Sequence, residues 1–141
     1  MKILAVDLGK ARTGLAVCDE GEILASPVAV VAEWNREKLL ARVADEAKRL
    51  GAERIVVGLP RNMDGSEGES AQNARAFAAN LRERSGVSVE LQDERGTTIT
   101  AHGFLNDTGT RGKKRKAVVD AVAATVILQD YLARRRNGNA P

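Results

Sequence analysis

The 141 residues, 43% hydrophobic and 29% charged, suit one folded core and exclude a disordered chain; no apolar run reaches the roughly 18 residues of a membrane span. One cysteine, Cys18, and one histidine, His102, exclude an internal disulfide, a thiolate metal cluster and a typical zinc site. The net charge of +3 hides an asymmetry: residues 1–110 hold 14 Lys/Arg against 17 Asp/Glu (net −3), and residues 111–141 hold 8 against 2 (net +6).

The apolar stretch within MKILAVDLGKAR is too short for an export signal, so a cytoplasmic location is expected. Short β runs at 2–7 and 14–18 flank a turn carrying Gly9 and Gly14, and a third strand at 23–31 follows the turn Asp19-Glu20-Gly21-Glu22. Pro27 in that third strand favours an edge or a bulge. Together these make an antiparallel meander. Leu39, Leu40, Val43, Ala47 and Leu50 recur at helical spacing over 36–50, and Trp34 is expected to pack against or staple the start of that helix. A buried strand follows at 54–57, left through Gly58-Leu59-Pro60, and then a loop at Met63-Asp64-Gly65-Ser66. A helix over 70–84 buries Ala71, Ala74, Phe77, Ala78 and Leu81, and the alternation of Val87, Val89 and Leu91 marks a strand that ends at Asp93-Glu94. A short helix at 97–105, a basic loop at 106–115 and a last helix at 117–135, with Val118, Val122, Val126 and Leu128 inward, complete the reading. The domain is expected to span 1–136, with 137–141 a tail.

Strands alternating with helices imply parallel pairing, so 2–7, 54–57 and 87–92 should end at one sheet edge, where ligand sites form in such sheets. The fold class expected is α/β, a five-stranded mixed sheet of meander plus parallel strands, flanked by helices. Asp7 and the pair Asp93-Glu94 close two of these strands, and Asp120 interrupts an otherwise apolar stretch, Val118 to Ala124. A carboxylate there is costly unless paired, hydrogen-bonded or holding a metal. Converging carboxylates suit Mg²⁺, a hard cation that keeps several waters and assists phosphodiester hydrolysis. A carboxylate pair working on a sugar is the competing chemistry. Each acid also has a structural reading: turn cap for Asp7, partner of Arg95 or cap of the helix near Thr97 for Glu94, and helix-dipole partner for Asp120. Two basic clusters, Arg111 with Lys113, Lys114, Arg115 and Lys116, and Arg134 to Arg136, attract polyanions unless they are a solvated loop and a frayed tail. Aromatics are only 3% of the chain, so phosphate contacts rather than base stacking should dominate binding.

Four segments in this order resemble the YqgF/RuvX family of Holliday-junction-resolvase-like proteins, also described as pre-16S ribosomal RNA nucleases. They are Ala5-Val6-Asp7-Leu8-Gly9 with Arg12 and Gly14; Gly58-Leu59-Pro60 through Met63-Asp64-Gly65-Ser66-Glu67-Gly68; Asp93-Glu94-Arg95 with Thr97-Thr98; and Lys116 with Asp120-Ala121-Val122-Ala123-Ala124 and Ile127-Leu128. The resemblance implies an RNase H-like fold and a nuclease using Mg²⁺ or Mn²⁺. Its metal-binding acids would be Asp7, Glu94 and Asp120. Arg12 and Lys116 would stand on the phosphate side, and the 63–68 loop would face substrate. Strand alternation sends Asp93 and Glu94 to opposite faces, so only one should bind metal. Gly96 departs from the family's Leu, and the last helix shows only Asp120 near its start, where true junction resolvases carry two acids.

The substrate implied is RNA, at the 5′ end of the 16S precursor, for a monomer or weak homodimer. The alternatives are a resolvase acting on branched DNA, a non-catalytic nucleic-acid-binding or transcription-associated factor, and a phosphotransfer domain suggested by the DLGKARTG stretch.

Overall fold

A computed structural model describes residues 1–94 and 112–138, and the side chains of all of these except 112–121. The elements in chain order are β1 (Ile3–Asp7), β2 (Arg12–Cys18), β3 (Ala25–Ala32), α1 (Arg36–Leu50), β4 (Arg54–Leu59), α2 (Glu69–Ser85), β5 (Ser88–Asp93) and α3 (Gly112–Arg136). The expected helix at 97–105, with His102 on it, lies outside the described residues, as do positions 106–111 of the expected basic loop.

The five strands form one sheet in the order β3-β2-β1-β4-β5. β1 pairs antiparallel with β2, and β2 with β3, whereas β1 pairs parallel with β4, and β4 with β5. Both faces are covered, so the central strands read as nearly continuous apolar runs rather than alternating ones. Leu4, Val6, Ile55, Val57 and Val89 pack against Leu39, Val43, Phe77 and Leu81 of α1 and α2. Ile3, Ala5, Ala16 and Val56 pack against Ala124, Ile127, Leu128, Tyr131 and Leu132 of α3.

Local signals fix the ends of α1. The Asn35 side chain accepts the Lys38 N–H at 3.0 Å, and Gly51, at φ 71°, closes the helix in the left-handed conformation that glycine adopts without strain. Pro27 sits on an edge strand beside an irregularity: Leu15 faces Ala29 but Ala16 faces Pro27, so Val28 is the extra residue.

Several boundaries differ from expectation. β3 starts at Ala25 rather than 23, because the Asp19 carboxylate accepts the N–H groups of Ile23 and Leu24 at 2.8 and 3.0 Å and holds both in an exposed turn. Trp34 staples nothing: it is 74% exposed, and Asn35 alone caps α1. The last helix starts at Gly112, so Lys113 to Lys116 are helical rather than part of a loop. Its inward positions are Ala123, Ala124, Ile127, Leu128, Tyr131 and Leu132, while Val122 and Val126 are half-buried. Small alanines let the helix approach the sheet, which turns the flanking valines to its sides. The second basic cluster is not a frayed tail. The Arg135 Nε donates to Glu22 at 2.6 Å and the Arg134 Nη1 to Gln92 at 2.9 Å, tying the end of α3 to the body.

Candidate functional site

The parallel pairing of β1, β4 and β5 brings their C-terminal ends to one edge, and Asp7, Leu59 and Asp93 stand there side by side. Side-chain alternation then sorts the acids. Asp7 shares its face with Ile3 and Ala5, and Gly58 shares its face with Val56, all on the α3 side. On β5, Gln92 reaches Arg134 of α3, which puts Glu94 on that same side. Asp93 points the other way, 3.7 Å from Arg61 across an ion pair.

Glu94 reaches Asp7 across the intervening strand because that strand offers no side chain at the crossing. A Cβ on Gly58 would lie 2.3 Å from the Glu94 Oε2 and 2.7 Å from the Ile127 Cδ1. The Glu94 backbone is held by its own N–H, which donates to the Leu59 carbonyl at 3.1 Å. The carboxyl of Glu94 is pushed up to about 8, first by burial, then by the charge of Asp7, by the hydrogen bond it shares with Asp7, and by Asp93. In the absence of a cation the pair therefore holds a proton, with the Glu94 carboxyl donating to Asp7.

The helix α3 supplies the third wall. Ile127 covers Gly58 near the C-terminal end of β4, and Tyr131 accepts from the Arg54 Nη1 at 2.9 Å at the strand's start. The helix therefore runs antiparallel to β4, and its N-terminal turns extend past the edge that holds Asp7 and Glu94. Asp120 is on that helix, two turns before Ile127; its side chain is outside the described residues. Among the described side chains no third acid, histidine or cysteine joins Asp7 and Glu94.

The cations at this edge are of two kinds. Arg12 opens β2 beside the turn from Asp7, and its buried Nη1 has no hydrogen-bond partner among the described residues. An inward guanidinium N–H without an acceptor is costly and is satisfied by an incoming anionic oxygen. Lys113, Lys114, Arg115 and Lys116 occupy the first turns of α3, and the first turn itself carries no acidic residue. Cations there oppose the helix macrodipole, so the helix end concentrates positive potential at the edge. On the far flank the 63–68 loop is folded on itself. Ser66 donates through its N–H and its Oγ to Asp64, at 2.9 and 2.6 Å, and Gly65 turns at φ 89°.

The sequence reading missed the role of Gly58. Its signal was an isolated glycine within an otherwise unbroken apolar strand, Ile55-Val56-Val57-Gly58-Leu59, which marks a close approach. Gly9 has a related role, since a Cβ there would fall 2.0 Å from the Arg12 carbonyl oxygen and prevent the turn that leads out of Asp7.

The family model described as RuvX: Holliday junction resolvase matches residues 1–134. A protein of Anaeromyxobacter sp. (strain Fw109-5) named "Putative pre-16S rRNA nuclease" is 47% identical over 135 residues, which cover 96% of this chain and 98% of that one. A relative of the same name from Kineococcus radiotolerans is 44% identical over 140 residues, covering 98% of this chain and 74% of the relative. Among solved structures, the RuvC of Thermus thermophilus, known also in complex with Holliday junction substrate, shares the fold. Its TM-score is 0.61 at 18% identity, over 99% of this chain and 98% of that one.

Proposed function

The chain belongs to the RuvX family of Holliday junction resolvases, and on that premise we propose that it is a divalent-metal-dependent nuclease that hydrolyses RNA phosphodiester bonds, with Asp7, Glu94 and Asp120 as its catalytic acids. The observation that carries this reading is the hydrogen-bonded pair of carboxyl groups, Asp7 and Glu94, brought together across Gly58. Two half-buried carboxylates in contact are an unfavourable arrangement for stability alone. They make a hard-oxygen cradle that suits Mg²⁺ or Mn²⁺, and Mg²⁺ needs only one or two protein carboxylates because it keeps waters. When bound, such an ion offsets charge on the phosphate and lowers the pKa of the attacking water.

The protein's own groups do the rest. Without the shared proton, the Asp7 and Glu94 carboxylates would both be available as ligands to such an ion. Asp120, on the helix that runs to the same edge, is the third ligand in this reading. Arg12 binds a phosphate oxygen through its unsatisfied Nη1, and Lys113, Lys114, Arg115 and Lys116 draw the strand towards the edge. No helix of the described residues is long and apolar enough to cross a membrane, in keeping with a cytoplasmic enzyme acting on precursor ribosomal RNA. The names of the relatives support the 5′ end of the 16S precursor as substrate. The family's own description supports a Holliday junction as the second reading.

A side-by-side cleavage assay tests the proposal. Wild type and Asp7→Asn are each given a precursor 16S end fragment and a four-way DNA junction, with Mg²⁺, Mn²⁺ or EDTA. Metal-dependent cutting of the RNA alone, lost in the variant, is expected. Paired cuts in the junction would put the DNA reading first. No cutting of either would leave the non-catalytic binding factor.

A further inference from the structure

The turn from β3 into α1 places one large aromatic side chain in solvent at the catalytic edge. β3 runs parallel to β1, because both are antiparallel to β2, and its last residue, Ala32, lies opposite Arg12. The chain therefore leaves β3 at the edge where β1 ends at Asp7, two strands away, or about 10 Å across the sheet. Trp34 follows two residues later with its indole 74% exposed.

This exposure is held in place by the neighbours. The Glu33 N–H donates to the Ala11 carbonyl at 3.1 Å, and the Arg36 Nη1 donates to the Gly9 carbonyl at 3.1 Å. The Glu33 carboxylate, the nearest opposing charge in sequence, accepts the Asn35 N–H at 3.1 Å, and Asn35 caps α1. The segment on both sides of Trp34 is thus fastened to the turn that carries Lys10 and Arg12. A solvent-facing indole on a segment fastened to the turn that carries Arg12, whose guanidinium has an unmet N–H, has the components of a single-strand contact: an aromatic face for a base and cations for its phosphates. A base held inside a duplex cannot offer its face to such a platform.

We propose that Trp34 stacks on an unpaired nucleobase of the substrate strand, a few nucleotides from the Asp7–Glu94 edge, and so favours single-stranded or locally opened nucleic acid. This inference rests on the nuclease reading for the existence of that substrate, but its test is separable from cleavage. Trp34 is the only tryptophan in the chain, so the fluorescence of the protein reports this position alone.

Wild type, Trp34→Ala and Trp34→Phe are titrated in EDTA with three end-labelled probes: a short single-stranded RNA, a single-stranded DNA of the same sequence, and the blunt RNA duplex. Probe anisotropy measures binding, and tryptophan emission measures stacking. Single strands are expected to quench wild-type emission. Trp34→Ala should bind them about 5- to 100-fold more weakly, with Trp34→Phe close to wild type. Duplex affinity should be the same in all three proteins. Matching melting temperatures would show that the fold is intact, as expected for an exposed side chain. Single-strand binding without quenching, and unchanged in Trp34→Ala, overturns the role of Trp34 and leaves the nuclease reading standing. Failure of wild type to bind any probe overturns both.

Discussion

Placing a methyl group on Gly58 tests how the two carboxylates come to share a proton. In Gly58→Ala the new Cβ would lie 2.3 Å from the Glu94 Oε2 and 2.7 Å from the Ile127 Cδ1. The carboxylate must retreat by about 1 Å to reach ordinary contact, and Ile127 must turn aside. Overpacking of this kind costs about 1–3 kcal/mol, and loss of the glycine's backbone freedom returns about 0.5–1 kcal/mol. The net cost is about 1–2 kcal/mol, or a fall in melting temperature of about 3–8 °C for a domain of this size, so the protein stays folded. Activity should suffer far more, because a misplacement of about 1 Å in a reacting site costs about 100-fold. Thermal melts and cleavage rates, measured together with Mg²⁺ affinity by calorimetry, separate the two effects. A Gly58→Ala protein that melts lower but cleaves and binds metal like wild type would refute the idea that Gly58 makes room for the Asp7–Glu94 pair.

Stability should also depend on pH through Glu94. Its carboxyl is raised from 4.5 to about 8, so the folded state binds more protons than the unfolded state between those values. Metal-free protein therefore loses stability as pH rises from about 4.5 towards 8, by a few kcal/mol. Below that window both states are protonated and the penalty is absent. Denaturant melts in EDTA should show this slope in wild type and a flatter one in Glu94→Gln; identical slopes would remove Glu94 from the account. Asp7→Asn, Glu94→Gln and Asp120→Asn should each abolish cleavage with little loss of stability by thermal melt, and full activity in any one would take that residue out of the site. Neutralising Lys113, Lys114, Arg115 and Lys116 together should weaken RNA binding and reduce the slope of log affinity against log salt by up to about 3. An unchanged slope would return these residues to a solvated helix end.

Much of the sheet was legible because apolar runs and turn residues state it directly. The strand run from Ile55 and the alternation of Val89 and Leu91 led to parallel strands ending at one edge, and so to Asp7 and the pair Asp93-Glu94 as neighbours; the choice of Glu94 came from the family resemblance. The opposite orientations of Asp93 and Glu94 followed from the period of two. The start of α3 was not legible, because a run of lysines before a helix opposes its dipole and reads as loop; nothing in local propensity reveals an electrostatic cost that an anionic partner would offset. The inward face of α3 was read correctly at Leu128 and misread at Val122 and Val126, because valines outweigh alanines in a hydrophobicity pattern. The sheet selects Ala123 and Ala124 for close approach instead. Trp34 was expected to pack against or staple the start of α1; Asn35 caps that helix, and Trp34 stays in solvent. The part played by Gly58 needs the strand order β1-β4-β5, since only that order places a glycine between the two acids.

Calorimetric titration of Mn²⁺ into wild type and Glu94→Gln at pH 7, in buffers of different ionisation enthalpy, tests most directly whether Asp7 and Glu94 hold the metal. Wild type should bind with release of close to one proton, because the shared proton must leave as the cradle fills. Glu94→Gln should bind more weakly and release none. Equal affinity and equal proton release in the two proteins would contradict this role for the pair.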